Sequence, residues 1–293
     1  MILLDYSAVA IANMMIAIKK DKEELTEYFA LHMIMNSIRK NYKKYKREYG
    51  VMIICCDGPY NWRKETFPLY KHKRRKDKKD SSIDWDFIYK NLEYVKDKIK
   101  EDFPIIVIEH SCCEADDVIG TLARYSTSNE IPTIIISNDK DFLQCHSEYV
   151  CQYRPINDII IREPNPSRNL KELVIRGDYD DGVPNIKSPD DIFTIEGKRQ
   201  SPIYKKDLTK WLDDTEFSFL KEDDLMKKRF NRNFTLIGLI NTPEQYQHEI
   251  ISDYVNQYAT LLPNKQKMIQ FFMDHRLRYM HERIDDFIYR KNA

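Results

Sequence analysis

The chain has 293 residues, of which 42% are hydrophobic and 32% charged, and its 47 basic and 47 acidic side chains balance to a formal net charge of zero. That length suits two domains or one large one, the composition suits a soluble globular protein, and no apolar run is long enough to cross a membrane. Balanced charge neither favours nor excludes nucleic acid, and the six cysteines, with two adjacent pairs, no CxxC and no zinc spacing, read as reduced thiols in a reducing cytoplasm.

Residues 1–4 are a short apolar run ending in Asp5, and Ser7 leads into a helix over 8–18. No basic residue precedes this stretch and Asp5 sits at its mouth, so it is not a secretory signal. Residues 22–49 read as one long helix, because Leu25, Tyr28, Leu31, Met35, Ile38, Tyr42 and Tyr45 recur every three or four positions. Its later part carries Arg39, Lys40, Lys43, Lys44, Lys46 and Arg47, read as a solvated basic face. Residues 51–56 form a second buried strand, which ends in Asp57 and the pair Gly58-Pro59. The run KHKRRKDKK over residues 71–79 then places seven Lys or Arg in nine positions, after Tyr60, Trp62, Phe67 and Tyr70. Cations beside aromatic rings suit a nucleic-acid strand, phosphates on the cations and bases on the rings. A solvated loop is the plainer alternative.

Ser81 or Ser82 can cap a helix over 84–100 that buries Trp85, Ile88, Leu92, Val95 and Ile99. Residues 105–108 form a third strand, ending in Glu109. A helix over 114–125 opens with Glu114, Asp116 and Asp117, more acid than complementing the helix dipole requires. Ile134, Ile135 and Ile136 make a fourth buried strand, followed by Ser137, Asn138, Asp139, Lys140 and Asp141. Here one Asp capping a helix that starts near Phe142 is the alternative. A weaker strand pair follows at 149–153 and 159–161. The turn from Gly177 to Pro184 carries Asp178 and Asp181, which one helical turn could aim at a shared ion, or which could be an acidic surface loop. Beyond residue 183 the chain reads as helical, over 205–212, 221–230, 243–261 and 264–289, punctuated by Pro202, Pro243 and Pro263.

Four successive strand–helix units predict a mostly parallel sheet with right-handed crossovers, and ligands bind beyond the carboxyl ends of such strands. Asp5, Asp57, Asp139, Glu114 and Asp116 then collect at one edge of the sheet. Unrelieved, they would repel one another and shift upward in pKa. An all-oxygen set without Cys or His selects a hard divalent ion such as Mg²⁺.

These motifs resemble the 5′-nuclease family, the flap endonucleases and the 5′-nuclease domains of bacterial polymerases. Glu114-Ala115-Asp116-Asp117 resembles its EADD box, and Ser137 to Phe142 its S-x-D-x-D-F turn. Gly177-Asp178 through Asp181 resembles its G-D-x-x-D motif, and Tyr70-Lys71 through Arg74 the Y-K-x-x-R of its arch. Ile195-Glu196-Gly197-Lys198-Arg199 with Pro202 is similar to the branch found in T-even phages. The resemblance is specific over the first 185 residues and thin beyond. It implies an α/β fold of the PIN/5′-nuclease kind, a mostly parallel central sheet with flanking helices, over 1–182, with a basic arch at about 60–82. A smaller all-helical domain with a helix–turn–helix DNA-binding region would follow over 183–293.

The resemblance also implies roles. Asp57, Glu114, Asp116 and Asp139 would hold a first, catalytic Mg²⁺, with Asp5 acting close to it. Asp141, Asp178 and Asp181 would serve a second, and Mn²⁺ could replace either ion. Asp117 joins the set as a further metal residue. Lys71 and Arg74 would steady the scissile phosphate, Tyr70 would stack on a base near the cut, and Lys73, Arg75 and Lys76 would track phosphates. Many relatives have a glycine-rich turn after the last acid, in a region that binds duplex DNA through backbone groups and a potassium ion. Gly182-Val183-Pro184-Asn185-Ile186 lacks those glycines, which weighs against the ion but not against duplex binding. The implied activity is removal of RNA primers and 5′ flaps during phage DNA replication in the host cytoplasm, by a monomer, on DNA and RNA:DNA duplexes. A single-strand-binding protein and a sliding clamp are implied partners. Gln266, Ile269 and Phe272 loosely echo a clamp-binding peptide, although their spacing with Met268 and Phe271 suits a core helix better. The alternatives are a non-catalytic nucleic-acid-binding scaffold, which would have lost some of the acids, and a PIN-type single-strand ribonuclease, which would lack the arch and the helical second half.

Overall fold

The computed structural model describes residues 1–21, 25–72, 83–221 and 223–289. A six-stranded sheet runs through it in the order β3-β2-β1-β4-β5-β6. The strands are β1 (Ile2–Asp5), β2 (Met52–Cys56), β3 (Ile106–Glu109), β4 (Thr133–Ile136), β5 (Val150–Arg154) and β6 (Ile159–Ile161). The first five run parallel, and β6 returns antiparallel to β5. Alternate side chains enter opposite layers: Ile2, Leu4, Ile54 and Ile134 face one core, Leu3, Ile53 and Ile135 the other. Both faces are therefore apolar, as short β-branched runs in a covered parallel sheet must be.

Helices α1 (Tyr6–Asp21), α2 (Glu27–Tyr49) and α4 (Trp85–Asp102) pack on the first face, and the single turn α3 (Arg63–Thr66) lies between β2 and α4. Helix α5 (Ala115–Ser128) covers the second face, and a 3₁₀ turn spans Asp141–Cys145. Helices α6 (Pro166–Arg176), α7 (Lys205–Asp213) and α8 (Asp224–Ile237) enclose a smaller core of Val174, Ile175, Leu208, Leu220 and Phe230. The chain then returns to the sheet. Helix α9 (Glu244–Thr260) lays Ile250 and Tyr254 over the α5 layer, and α10 (Lys265–Asp274) buries Met268, Phe271 and Phe272 in the α2 layer.

Several expectations change. Asp84, not Ser81 or Ser82, caps α4: its carboxylate accepts from the Phe87 amide at 2.9 Å, and the two serines lie outside the described residues. The basic side of α2 is solvated at Lys40, Lys43, Lys44 and Arg47, but not throughout. Arg39 is buried on Asp286 at 2.7 Å, Lys44 meets Asp158 at 2.6 Å, and Lys46 donates to the carbonyls of Asp285, Asp286 and Ile288. Arg39 and Lys46 tie the C-terminal segment to the core, and Lys44 ties α2 to the turn between β5 and β6. The helix expected over 264–289 is broken: α10 ends at Asp274, Arg276 turns left-handed at φ 56°, and the short α11 (Arg278–His281) follows. Leu277 is fully buried, so the break directs an apolar side chain inward. Phe272 is 1% exposed and cannot serve a clamp peptide from this position. Helix α6 was not anticipated, although Asn165 caps it through the Arg168 amide and Pro166 stands at its first position.

Candidate active site

The carboxyl ends of β1, β2 and β4, the amino end of α5 and the turn after α6 open onto one cavity of about 370 Å³. Asp5 closes β1, Asp57 follows β2, and Glu114 caps α5 with Asp116 in its first turn. Asp139 and Asp141 follow β4, while Asp178, Asp180 and Asp181 come from the turn after α6. All nine carboxyl groups line the cavity, together with Lys64, Lys71 and Lys140.

Each acid is held by its local chain. Asp57 Oδ1 accepts from the Ala115 amide at 2.9 Å, which joins the end of β2 to the N-terminus of α5. The intervening turn needs Gly58, because a Cβ there would lie 2.0 Å from the His110 carbonyl oxygen. Ser137 Oγ donates to Asp5 Oδ2 at 2.6 Å and accepts from the Asp139 amide at 3.1 Å. Gln152, reaching from β5, donates to the Ser137 and Asp139 carbonyls at 2.8 and 2.6 Å. Asp139 Oδ1 accepts from the Asp141 amide at 2.9 Å, a local turn bond; the 3₁₀ turn that follows starts at Asp141 after Lys140 and has no side-chain cap, so the expected Asp-capped helix does not form. Asp178 Oδ1 accepts from the amides of Asp180 and Asp181 at 2.8 and 3.1 Å. Gly177 begins that turn at φ 68°, where a Cβ would strike the Val183 carbonyl oxygen at 2.3 Å.

Packed together, the acids perturb one another. Burial pushes Asp5 up to about 7, against the Ser137 hydrogen bond and with help from Asp57 and Asp139. Burial, then Asp139 and Asp178, push Asp141 up to about 8. Burial also raises Asp116 far above the usual carboxylate range. Glu114 moves the other way: burial raises it, but the Lys71 and Arg63 charges outweigh burial and hold it below its ordinary value.

The set fits a hard cation. Asp141 Oδ1 is buried with no hydrogen-bond partner, an open lone pair on an all-oxygen wall. Among the described residues no three carboxyl, thiol or imidazole groups close into a ligand cage. An open site of that kind suits Mg²⁺, which keeps several of its waters.

The described start of the basic segment, Tyr70 and Lys71, reaches the same cavity. Lys71 Nζ is hydrogen-bonded to Glu114 Oε1 and lies 3.6 Å from Asp181 Oδ2. Its amide donates to the Asp181 carbonyl at 2.8 Å, from a left-handed backbone at φ 56°. Tyr70, assigned to base stacking on sequence, is 4% exposed here. Its hydroxyl lies 2.9 Å from Glu114 Oε2 and 2.8 Å from Asp181 Oδ2 and has one proton to offer them. In this arrangement Tyr70 positions acids and presents no free face to a base. Lys73, Arg74, Arg75 and Lys76 lie outside the described residues.

Asp117 does not belong to the cavity. It is fully buried, and Arg63 grips it with Nη1 and Nη2 at 2.7 and 2.8 Å. Trp62 Nε1, Thr242 Oγ1 and the Glu114 amide complete its contacts at 3.3, 2.7 and 3.0 Å. Successive helix residues are rotated by about 100°, so Asp116 faces the cavity and Asp117 the core. Glu114 and Asp117 form the reciprocal capping pair of α5. Arg63, 1% exposed, was missed on sequence, as were Asp180, Lys64 and Lys140 on the cavity wall. Asp180 and Lys140 stand inside motifs that drew attention to their neighbours, whereas nothing local marks Arg63. Glu109 ends β3 but pairs with Lys96 at 2.5 Å, away from the other acids.

A family model described as the 5′-3′ exonuclease N-terminal resolvase-like domain matches residues 1–171, and one described as the C-terminal part of T4 RNase H matches 166–287. The chain is 28% identical to the ribonuclease H of Enterobacteria phage T4, covering 97% of this chain and 95% of that one. It is 33% identical to the flap endonuclease Xni of Pseudoalteromonas translucida, over 46% of this chain and 52% of that one. A structure of the phage T5 D15 flap endonuclease with DNA and metal ions superposes with a TM-score of 0.62 at 12% identity, covering 88% of this chain and 98% of that one. The phage T5 5′-exonuclease with divalent metal ions (zinc) superposes at 0.56 and 14% identity, over 94% of this chain and 98% of that one. The chain belongs to the 5′-3′ exonuclease family, with the PIN-like fold of the 5′ nucleases followed by a helical C-terminal part.

Proposed function

We propose that this chain is a Mg²⁺-dependent, structure-specific 5′-to-3′ nuclease. It hydrolyses phosphodiester bonds in RNA primers, DNA 5′ ends and 5′ flaps during phage DNA replication, in the host cytoplasm and as a monomer. The observation that carries this reading is the convergence of nine carboxyl groups from five parts of the chain on one cavity. The names of its relatives, a ribonuclease H and a flap endonuclease, agree with it. Two divalent cations bound there would supply an activated water and relieve charge on the phosphoryl and leaving oxygens. Asp57, Glu114, Asp116 and Asp139 would hold one, with Asp5 beside it, and Asp141, Asp178 and Asp181 the other. Lys71, already inside the cavity, shifts its ammonium from Glu114 to the scissile phosphate, where Arg74 joins it. Residues 1–182 carry the chemistry, and 183–293, including its helix–turn–helix region, hold the duplex. A single-strand-binding protein is a candidate partner.

The test is cleavage of a flap, a nick and a primer hybrid by the purified chain, with Mg²⁺ and with chelator. Metal-dependent release from the 5′ end is expected. Cleavage that persists in chelator, or no cleavage of any of the three substrates, refutes the reading.

A further inference from the structure

Strand β5 carries an amide where its neighbours are apolar. Gln152 stands in the middle of the strand and is fully buried, between Cys151 and Tyr153, which are buried as well. A buried amide costs stability unless its polar atoms are bonded, so its partners give the reason for its presence. Nε2 donates to two carbonyls of a single turn, those of Ser137 and Asp139, at 2.8 and 2.6 Å. That turn carries acids of the metal cavity: Ser137 Oγ holds Asp5 and the Asp139 amide, and Asp139 Oδ1 accepts from the Asp141 amide. The hairpin of β5 and β6 grips it at two further points. The Ser137 amide donates to the Tyr153 carbonyl at 3.2 Å, and the Ile156 amide to Asn138 Oδ1 at 3.1 Å.

The Gln152 amide is itself oriented. Two carbonyls use both of its N–H groups, which leaves Oε1 as an acceptor. The ring of His146, 6% exposed, supplies the matching donor. His146 Nδ1 accepts from the Glu163 amide at 2.9 Å, so the ring proton sits on Nε2. Burial holds this imidazole down at about 4, against upward pulls from Glu163 and the Gln152 amide, so the ring is neutral at neutral pH. His146 Nε2 and Gln152 Oε1 are both buried, and among the described residues neither has another hydrogen-bond partner. Neither side chain lines the metal cavity.

We propose that Gln152 is a positioning residue of the metal site: it fixes the backbone of the turn over residues 137–141, and so sets how well Asp139 and Asp141 fit a divalent cation, with His146 holding its amide in register. The fit matters because Mg²⁺ demands near-ideal octahedral geometry, whereas Ca²⁺ accepts a variable number of oxygens at flexible angles. A turn that drifts therefore costs Mg²⁺ binding more than Ca²⁺ binding. This rests on the divalent-cation reading proposed above and adds to it the residues behind the acids that tune their selectivity.

The test is calorimetric titration of the full chain with Mg²⁺ and, separately, with Ca²⁺. Gln152→Met keeps the length of the side chain and removes its donors. It should weaken Mg²⁺ binding by roughly 10-fold, the lower end of the range for partners that orient metal ligands, and Ca²⁺ binding by less. Hydrogen exchange should quicken at the Asp139 and Asp141 amides and stay unchanged in α2 and α8. His146→Phe keeps both carbonyl bonds and should show a smaller loss of the same kind. Asn138→Ala loosens the turn from a half-buried position, so it gives the answer even where Gln152→Met folds poorly, and it too should weaken Mg²⁺ more than Ca²⁺. Wild-type Mg²⁺ affinity in folded Gln152→Met, or in Asn138→Ala where the first variant does not fold, overturns the proposal. So does an equal loss for both ions, which marks a general loss of structure. A wild-type chain that binds neither ion refutes the metal site itself, and this role with it.

Discussion

Arg63 should be among the most sensitive positions in the chain, and Arg63→Met the informative change. The substitution keeps the apolar length of the side chain and removes its charge. Asp117 then loses both guanidinium hydrogen bonds, at 2.7 and 2.8 Å, and stays fully buried with three neutral donors, Trp62, Thr242 and the Glu114 amide. The Leu236 carbonyl loses the Arg63 Nε donor at 2.7 Å as well. Removing one partner of a buried pair costs about 3–5 kcal/mol, because the other is left charged in a dry site. For a chain of this size that corresponds to a fall in Tm on the order of 10 °C. Replacing both groups, Arg63→Met with Asp117→Leu, removes the stranded charge. It leaves chiefly the lost cap at the N-terminus of α5, worth about 1 kcal/mol. Urea titration of wild type, single and double variants reads all three stabilities. A double variant as unstable as Arg63→Met, or a single variant within about 1 kcal/mol of wild type, would refute the argument that the pair is a closed unit whose halves cannot be separated.

Asp139→Asn should nearly abolish Mg²⁺-dependent cleavage while flap binding in a gel-shift assay stays close to wild type, because the acids hold cation and not strand; lost binding with an unchanged rate per complex would contradict that. Lys71→Ala should tighten Mg²⁺ binding measured by calorimetry, since the ammonium now on Glu114 competes with the ion, and should lower the single-turnover rate more than substrate affinity. Weaker Mg²⁺ binding by this variant would show that Lys71 orders the ligands and does not compete for them. Stability should also depend on pH in a metal-sensitive way. Asp5 and Asp141 titrate at about 7 and about 8 in the folded chain, against an ordinary 3.8, so between these limits the folded chain holds protons that the unfolded chain has lost. Their contribution to stability therefore falls as pH rises through that window. The increase in Tm on adding Mg²⁺ should be larger at about pH 8 than at about pH 5; an increment independent of pH would contradict the assigned shifts.

The strand ends were readable because a β-branched run that stops at an acid carries two messages in adjacent residues: Ile134, Ile135 and Ile136 must be buried, and Asp139 must leave the sheet at its carboxyl edge. Glu109, which also ends a strand, was not counted among the site acids and lies apart from them. That strand lies at the edge of the sheet, and a nearby lysine, Lys96, satisfies its acid. Asp117 misled because an EADD string looks uniform in one dimension, whereas a helix turns its third and fourth members to opposite sides. Arg63 had no local signature, since its partner stands 54 residues away and the pairing exists only once α3 rests on α5. The break after Asp274 was equally hidden: neither Gly nor Pro marks it, and it exists because Leu277 is pulled into a core assembled from α2 and the chain's last turns.

How the fold tolerates nine acids in one cavity bears on how the site operates. Two devices are visible. Burial shifts Asp5, Asp116 and Asp141 toward their protonated forms, which removes part of the repulsion without any counter-ion. Glu114 and Asp181 are instead neutralised from outside the sheet by Lys71 and Tyr70, whose chain continues directly into the basic run. The first device would release protons if cations bound. The second would release an ammonium and a phenol from carboxylates that cations came to occupy, so loading the site would loosen Tyr70 and Lys71. Metal affinity and the position of Lys71 would then be linked, and a change on the Lys71 side that weakens its hold on Glu114 is expected to strengthen metal binding by at most the free energy of that contact. Tyr70→Phe separates the devices: it removes the phenol without altering charge, so it should speed hydrogen exchange at residues 70–72 while tightening Mg²⁺ binding less than Lys71→Ala does.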